Sequence, residues 1–142
     1  MNISKFTQNS VQAVQNCEKL AYQYGNQEID EEHLLASLWG LEDSLIRKLL
    51  VKMDVDESAF GASLEEALDR RVKVSGGNVY VSADLNKVLI NAEDEAKRMG
   101  DQYVSVEHLF LSMLAAPNKA VKELFRQYGI DREGFLKALS TV

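Results

Sequence analysis

The sequence predicts an all-α fold: two pseudo-twofold-related four-helix repeats packed as one globular domain with an extended linker. Three observations predict it. EEHLLASLW at residues 31–39 returns as VEHLFLSML at residues 106–114. A shift of 75 places brings the copies into register without a gap, setting Gly25 on Gly100, Gln27 on Gln102, Ser37 on Ser112, Leu49 on Leu124, Asp56 on Asp131, Phe60 on Phe135 and Leu64 on Leu139. Apolar residues recur at helical spacing through both copies. A period this long that occurs only twice is no solenoid, so the copies should pack against each other. The expected organisation is a single domain over 1–142, with one repeat at 6–69, the linker at 70–80 and the second repeat at 81–142.

The first helix should start after Thr7, an N-cap residue, with Phe6 before it and Val11 at the fourth helical position, where the two can staple the helix entry. Ala13, Val14, Cys17, Leu20, Ala21 and Tyr24 make its stripe, and Gly25 ends it. Its counterpart runs from Ser82 through Leu85, Val88, Leu89, Ala92, Ala96 and Met99 to Gly100. The second helix opens at Asp30, or at Ser105, with Glu at the second helical position, where the helix dipole favours a carboxylate. Leu34, Leu35, Leu38 and Leu41 form its apolar face, matched by Leu109, Phe110, Met113 and Leu114. The third helix carries Leu45, Ile46, Leu49 and Leu50, or Val121, Leu124 and Phe125. Asp56 and Asp131 cap the fourth, which carries Phe60 and Leu64, or Phe135, Leu136 and Leu139. RRVKVSGGNVY, residues 70–80, holds the only Gly-Gly and reads as an extended linker with a turn at Gly76-Gly77. Pro117, the only proline, falls where the second helix of its repeat should have ended.

Composition narrows the function. An apolar content of 46% in 142 residues can bury a proper core. A net charge of -6, with basic residues clustered at most in pairs such as Arg70-Arg71 and Lys97-Arg98, speaks against a nucleic-acid partner. Charge is unevenly shared. Residues 1–69 hold 5 Lys/Arg against 13 Asp/Glu, or -8, and residues 70–142 hold 11 against 9, or +2, so polar contacts of the two halves should differ in sign preference. The N-terminus lacks the apolar run of a secretory signal, no stretch is long and apolar enough for a bilayer, and the one cysteine permits no internal disulfide. The expectation is a soluble cytoplasmic chain without a membrane partner.

His33 and His108, each beside a Glu, are the candidates for metal ligation or general base chemistry. Neighbours in a helix do not face each other, and the HExxH spacing of zinc sites is missing. Both histidines fall at the third helical position, within reach of the cap, which favours a structural role. Cys17 lies on a core stripe and aligns with Ala92, so a small core residue is expected rather than a nucleophile. Neither phosphate-binding loops nor a nucleophile elbow occur. The chain is expected not to be an enzyme by itself.

Positions where the copies disagree say more. Ile90 lies off the Leu85-Leu89-Ala92-Ala96 stripe and aligns with Gln15, so it either lines an exposed groove or widens the contact between halves. Tyr80, Val81 and Tyr103 stand where the first half has Lys5, Phe6 and Glu28. Such loop aromatics bind partners or seal the junction between halves.

With the duplication in hand, FTQNSVQAVQNCEKLA, NQEIDEEHLLASL and NKVLINAEDEAKRMGDQYVSVEHLFLSML resemble the amino-terminal domain of Clp ATPases, a module of two Clp repeats. LDRRVKVSGGNVYVSADL and RMGDQYVSVEHLFLSML are most similar to the ClpB disaggregase branch. The resemblance implies a substrate-engaging domain at the mouth of a homohexamer, here as a monomeric fragment, that passes unfolded or aggregated polypeptide to an ATP-driven channel, with substrate arriving by way of the DnaK chaperone system. ATP and Mg²⁺ would belong to the ATPase modules of the full-length protein, and no cofactor is expected in this fragment. Matching positions for substrate contact are Thr7, Asp101 and Glu107, in the contexts FTQ, GDQY and SVEHL, with a shallow apolar groove around Leu89, Ile90 and Leu109. The same residues have structural readings: Thr7 as a cap, Asp101 in a turn, Glu107 at a helix dipole, Leu89 and Leu109 on core stripes. The alternative function is docking of a folded adaptor, as in the ClpC and ClpA protease chaperones.

Overall fold

The computed structural model describes residues 3–142, so the first two residues of the expected domain lie outside the described residues. After a 3₁₀ turn at Ile3–Lys5, the chain forms α1 (Gln8–Gln23), β1 (Glu28–Ile29), α2 (Glu31–Gly40), α3 (Leu45–Lys52) and α4 (Glu57–Asp69). It then forms β2 (Tyr80–Val81), α5 (Ala83–Arg98), α6 (Val106–Ala115), α7 (Lys119–Gln127) and α8 (Arg132–Leu139). Every helix starts behind a short polar residue, because the first N–H groups of a helix need an acceptor. Thr7, Ser44, Asp56, Ser82, Asn118 and Asp131 each accept the backbone N–H three residues on. Asp30 and Ser105 head capping boxes whose reciprocal partner is a histidine, His33 or His108, in place of the usual Glu or Gln. Gly25 and Gly100 follow the first helix of each repeat with φ of 69° and 72°, the left-handed geometry that ends a helix.

The twofold relation is visible in single bonds. Ser37 Oγ donates to Ala13 O at 2.6 Å, and Ser112 Oγ donates to Val88 O at 2.7 Å, riveting α2 to α1 and α6 to α5. The extended segments cross between repeats: Ile29 pairs with Val81 and Phe6 with Val104, in parallel. These two pairs exchange under the 75-residue shift, so each half lends the other a strand partner.

The core runs through both halves. Phe60 and Phe135 are fully buried equivalents, Trp39 stacks on Phe60 at 4.8 Å, and Phe110 packs on Phe135 at 4.6 Å. The turn at Gly76-Gly77 takes φ of 79° and 84°, and the segment around it carries neither helix nor strand up to β2. That segment is pinned along the α1–β1 loop. Val74 N–H donates to Gly25 O at 2.9 Å, Asn26 Nδ2 donates to Val72 O at 3.1 Å, and Lys73 Nζ donates to Tyr24 O at 2.8 Å.

Candidate functional site

Most of the residues expected to make contact with substrate lie on or near the loop between α5 and α6. Thr7 caps α1, accepting the Ser10 N–H at 3.3 Å and donating to Ser10 Oγ at 3.0 Å, and its own N–H donates to Val104 O at 3.0 Å. Asp101 lies three residues before Val104, exposed, with Oδ2 at 2.8 Å from His108 Nε2. Glu107, half-buried, stands at the second position of α6. Thr7 and Asp101 therefore belong to one edge, joined by the Phe6–Val104 bridge. Lys5, Glu93, Ala96, Lys97, Asp101, Gln102 and Val104 line a depression of about 300 Å³ there.

The apolar residues divide. Ile90 is 51% exposed, on the face of α5 that carries Glu93 and Lys97 three and seven positions on. Leu89 and Leu109 are 4% and 0% exposed, inside the core, so the groove surface expected of the three rests on Ile90. Tyr103 is also exposed, next to the bridge. Tyr80 and Val81 are exposed on the other bridge, at the pseudo-symmetric equivalent of the same edge.

The histidines hold helix starts. His33 Nδ1 accepts the Asp30 N–H at 2.9 Å, which places the ring hydrogen on Nε2, donated to Asn26 Oδ1 at 2.9 Å. His108 Nδ1 accepts the Ser105 N–H at 2.8 Å, with Asp101 taking the place of Asn26. Burial, and then the Arg71 guanidinium, pull the His33 imidazole below its usual range. Burial pushes the Cys17 thiol up to about 12, which leaves it a core residue.

Three ionisable side chains escaped sequence reasoning. Arg71 reaches from the end of α4 to Glu28 at 2.8 Å, Glu32 at 2.6 Å and Asp30 at 3.3 Å, and Asn118 Nδ2 donates to Glu32 at 2.6 Å. The acidic first half is thus answered by donors from the linker and the second half. Glu95, 2% exposed, takes Arg132 at 2.7 and 3.1 Å, and this hydrogen-bonded guanidinium holds its carboxyl below the usual range despite burial. Glu31 is fully buried; desolvation pushes its carboxyl up to about 8, the backbone amide of Asn118 opposes this, and the charges of Asp30, Asp84 and Glu32 add to the rise. The repeat register carried a signal for two of these, because Glu95 aligns with Leu20 and Glu31 with Val106.

Among the described residues, no helix is long and apolar enough to cross a membrane. The sequence is similar to the chaperone protein ClpB of Nitratidesulfovibrio vulgaris, 38% identical over 148 aligned positions that take in all of this chain and 17% of that protein. The chain therefore spans about a sixth of the length of that relative. The fold is similar to the Hsp104 N-terminal domain from Candida albicans, with TM-score 0.82 and 20% identity over 94% of this chain and 88% of the other. It is similar also to a ClpV N-domain in complex with a VipB peptide, with TM-score 0.77 and 19% identity over 97% and 86% of the two chains. The model of the Clp repeat (R) N-terminal domain matches residues 5–128, and the two copies, their shared caps and their crossed strand pairs are accordingly those of a chain that belongs to the Clp repeat N-terminal domain family.

Proposed function

We propose that this chain is the substrate-engaging N-terminal domain of a ClpB-type ATP-dependent disaggregase, and that it binds exposed apolar segments of unfolded or aggregated proteins for delivery to a hexamer channel. The observation that carries this reading is the open edge of the second repeat, where Tyr103 and Asp101 are exposed on the loop that the Phe6–Val104 bridge joins to Thr7, and Ile90 is exposed on the preceding helix. Apolar side chains beside fixed polar groups suit an extended peptide, and a shallow surface suits a client that must be released. The ATPase modules with their ATP and Mg²⁺, delivery through the DnaK system, the homohexamer and a cytoplasmic setting belong to the same proposal, and so does a monomeric state for the isolated domain. Similarity to ClpB over the full length of this chain supports it.

The second reading is docking of one defined partner or adaptor, favoured by the ClpV N-domain of like fold that holds a VipB peptide. An NMR titration of the ¹⁵N-labelled domain separates them. A permanently unfolded, apolar-rich polypeptide should shift amides near Ile90, Thr7 and Asp101 to Leu109 at micromolar to millimolar concentration. Absence of shifts at millimolar client removes direct substrate binding and leaves adaptor docking.

A further inference from the structure

Glu31 is an acid in a place where the fold can use a hydrocarbon. Its equivalent is Val106, the first residue of α6, and both positions are buried. Asp30 and Asp84 correspond in the same way to Ser105 and Asn9, so the second copy of this corner is built without charge. Its helices and capping box form nevertheless, and the three carboxylates are therefore not a requirement of the fold.

The corner is also short of donors. Asp30 Oδ1 accepts from Glu31 N–H and Ser82 Oγ, both at 2.8 Å, and Oδ2 faces Arg71 at 3.3 Å. Arg71 is shared with Glu28 and Glu32. Neither buried carboxylate oxygen of Glu31 makes a hydrogen bond of ordinary geometry, and the Asn118 backbone amide is the donor that bears on them. A buried carboxylate so poorly supplied with donors is costly unless a cation or a proton neutralises it.

Oxygens of Asp30, Glu31 and Asp84 lie within 4.8 Å of one another. We propose that Asp30, Glu31 and Asp84 form a site for a hard divalent cation, Ca²⁺ foremost, which ties the start of α2 in the first half to the start of α5 in the second. Only oxygen donors are on offer, since both ring nitrogens of His33 are engaged, and oxygen-only sets select Ca²⁺, Mg²⁺ or Mn²⁺ over zinc. Two oxygens on one Ca²⁺ lie at most about 4.6–5.2 Å apart, and Ca²⁺ accepts irregular oxygen sets where Mg²⁺ demands near-ideal octahedral geometry, so a corner of three carboxylates from two helix starts favours calcium. Exposed Asp84 gives the ion its way in.

The test is calorimetric titration of the metal-stripped domain with CaCl₂ and with MgCl₂, alongside Mn²⁺ relaxation of the ¹⁵N amides. Glu31→Gln and Asp84→Asn serve as variants, with wild-type-like amide dispersion required of each. One Ca²⁺ per chain is expected, binding more tightly than Mg²⁺, with Mn²⁺ broadening centred on residues 30, 31 and 84. Either variant should weaken Ca²⁺ by about ten-fold or more. Absence of saturable binding at millimolar metal, or equal binding in wild type and Glu31→Gln, overturns the proposal and leaves Glu31 as a neutral buried acid. Loss of client binding in the titration above would leave this result untouched, because Asp30, Glu31 and Asp84 lie outside that edge.

Discussion

The loop that joins the first two helices of a repeat exists twice, at residues 25–29 and 100–104, with the same glycine, the same glutamine and the same histidine beneath it. In the first repeat it is roofed over. The linker runs along it through Val72, Lys73 and Val74, Arg71 ties down its acids, and Asn26 under His33 is only 3% exposed. In the second repeat no such strap crosses the loop among the described residues; Asp101, Gln102 and Tyr103 are exposed, and the Phe6–Val104 bridge alone holds its end. One scaffold, used twice, offers one closed edge and one open edge. What differs between them is cover.

Removing the roof should have the largest effect. Arg71→Ala leaves Glu32 and Asp30 buried beside each other without their guanidinium, and breaking a buried pair from one side costs about 3 kcal/mol. Urea denaturation should show this loss, and amide exchange should quicken at residues 25–29 while 100–104 stay as they were. Equal quickening in both loops would mean that the linker does not distinguish them.

Next comes an exchange of residues. Asn26→Asp gives the closed loop the acid of the open one, and there it loses the donor to Val72 O and adds a carboxylate at a buried position. A cost of about 2 kcal/mol is expected, read from the shift in the denaturation midpoint. An unchanged midpoint would show that the roof admits water.

The halves differ again at Glu95, whose equivalent is Leu20. Its folded-state pKa is depressed by Arg132, so the unfolded chain takes up the proton first as pH falls. The resulting stability is present above the ordinary carboxyl range and disappears as pH drops through the lower folded value. Glu95→Leu should flatten the acid limb of a thermal stability curve below pH 4.5 or so, the usual glutamate range. An acid limb of the same slope in the variant would assign the dependence to other carboxylates.

The repeat, the caps and the core were legible in the sequence because each is a local pattern, written twice: a cap residue, a helical stripe, a glycine. Leu89 and Leu109 followed their stripes into the core, which left Ile90, the off-stripe residue, as the exposed one. Arg71 was not legible, since its partners lie 39 to 43 residues away and the path of the linker decides whether it reaches them. Glu31 and Glu95 were legible only by comparison of the copies, because an acid aligned with Val106 or Leu20 stands where the other copy keeps an apolar residue, and that mismatch marks a buried charge. Periodicity within one helix cannot give that signal, since it treats every Glu as a solvent residue.

The smallest effect on stability is the most informative for function. Asp101→Asn makes the open loop like the closed one, and the amide oxygen can accept His108 Nε2–H as Asn26 accepts that of His33. Stability should stay within about 0.5 kcal/mol of wild type, as for an exposed substitution whose hydrogen bond survives. Binding of an apolar, basic-flanked client should weaken by about two- to five-fold, the worth of one charge at an interface rim, and depend less on salt. Unchanged affinity and salt dependence would show that Asp101 serves His108 alone, as Asn26 serves His33, and that the open edge binds through Ile90 and Tyr103 without reading charge.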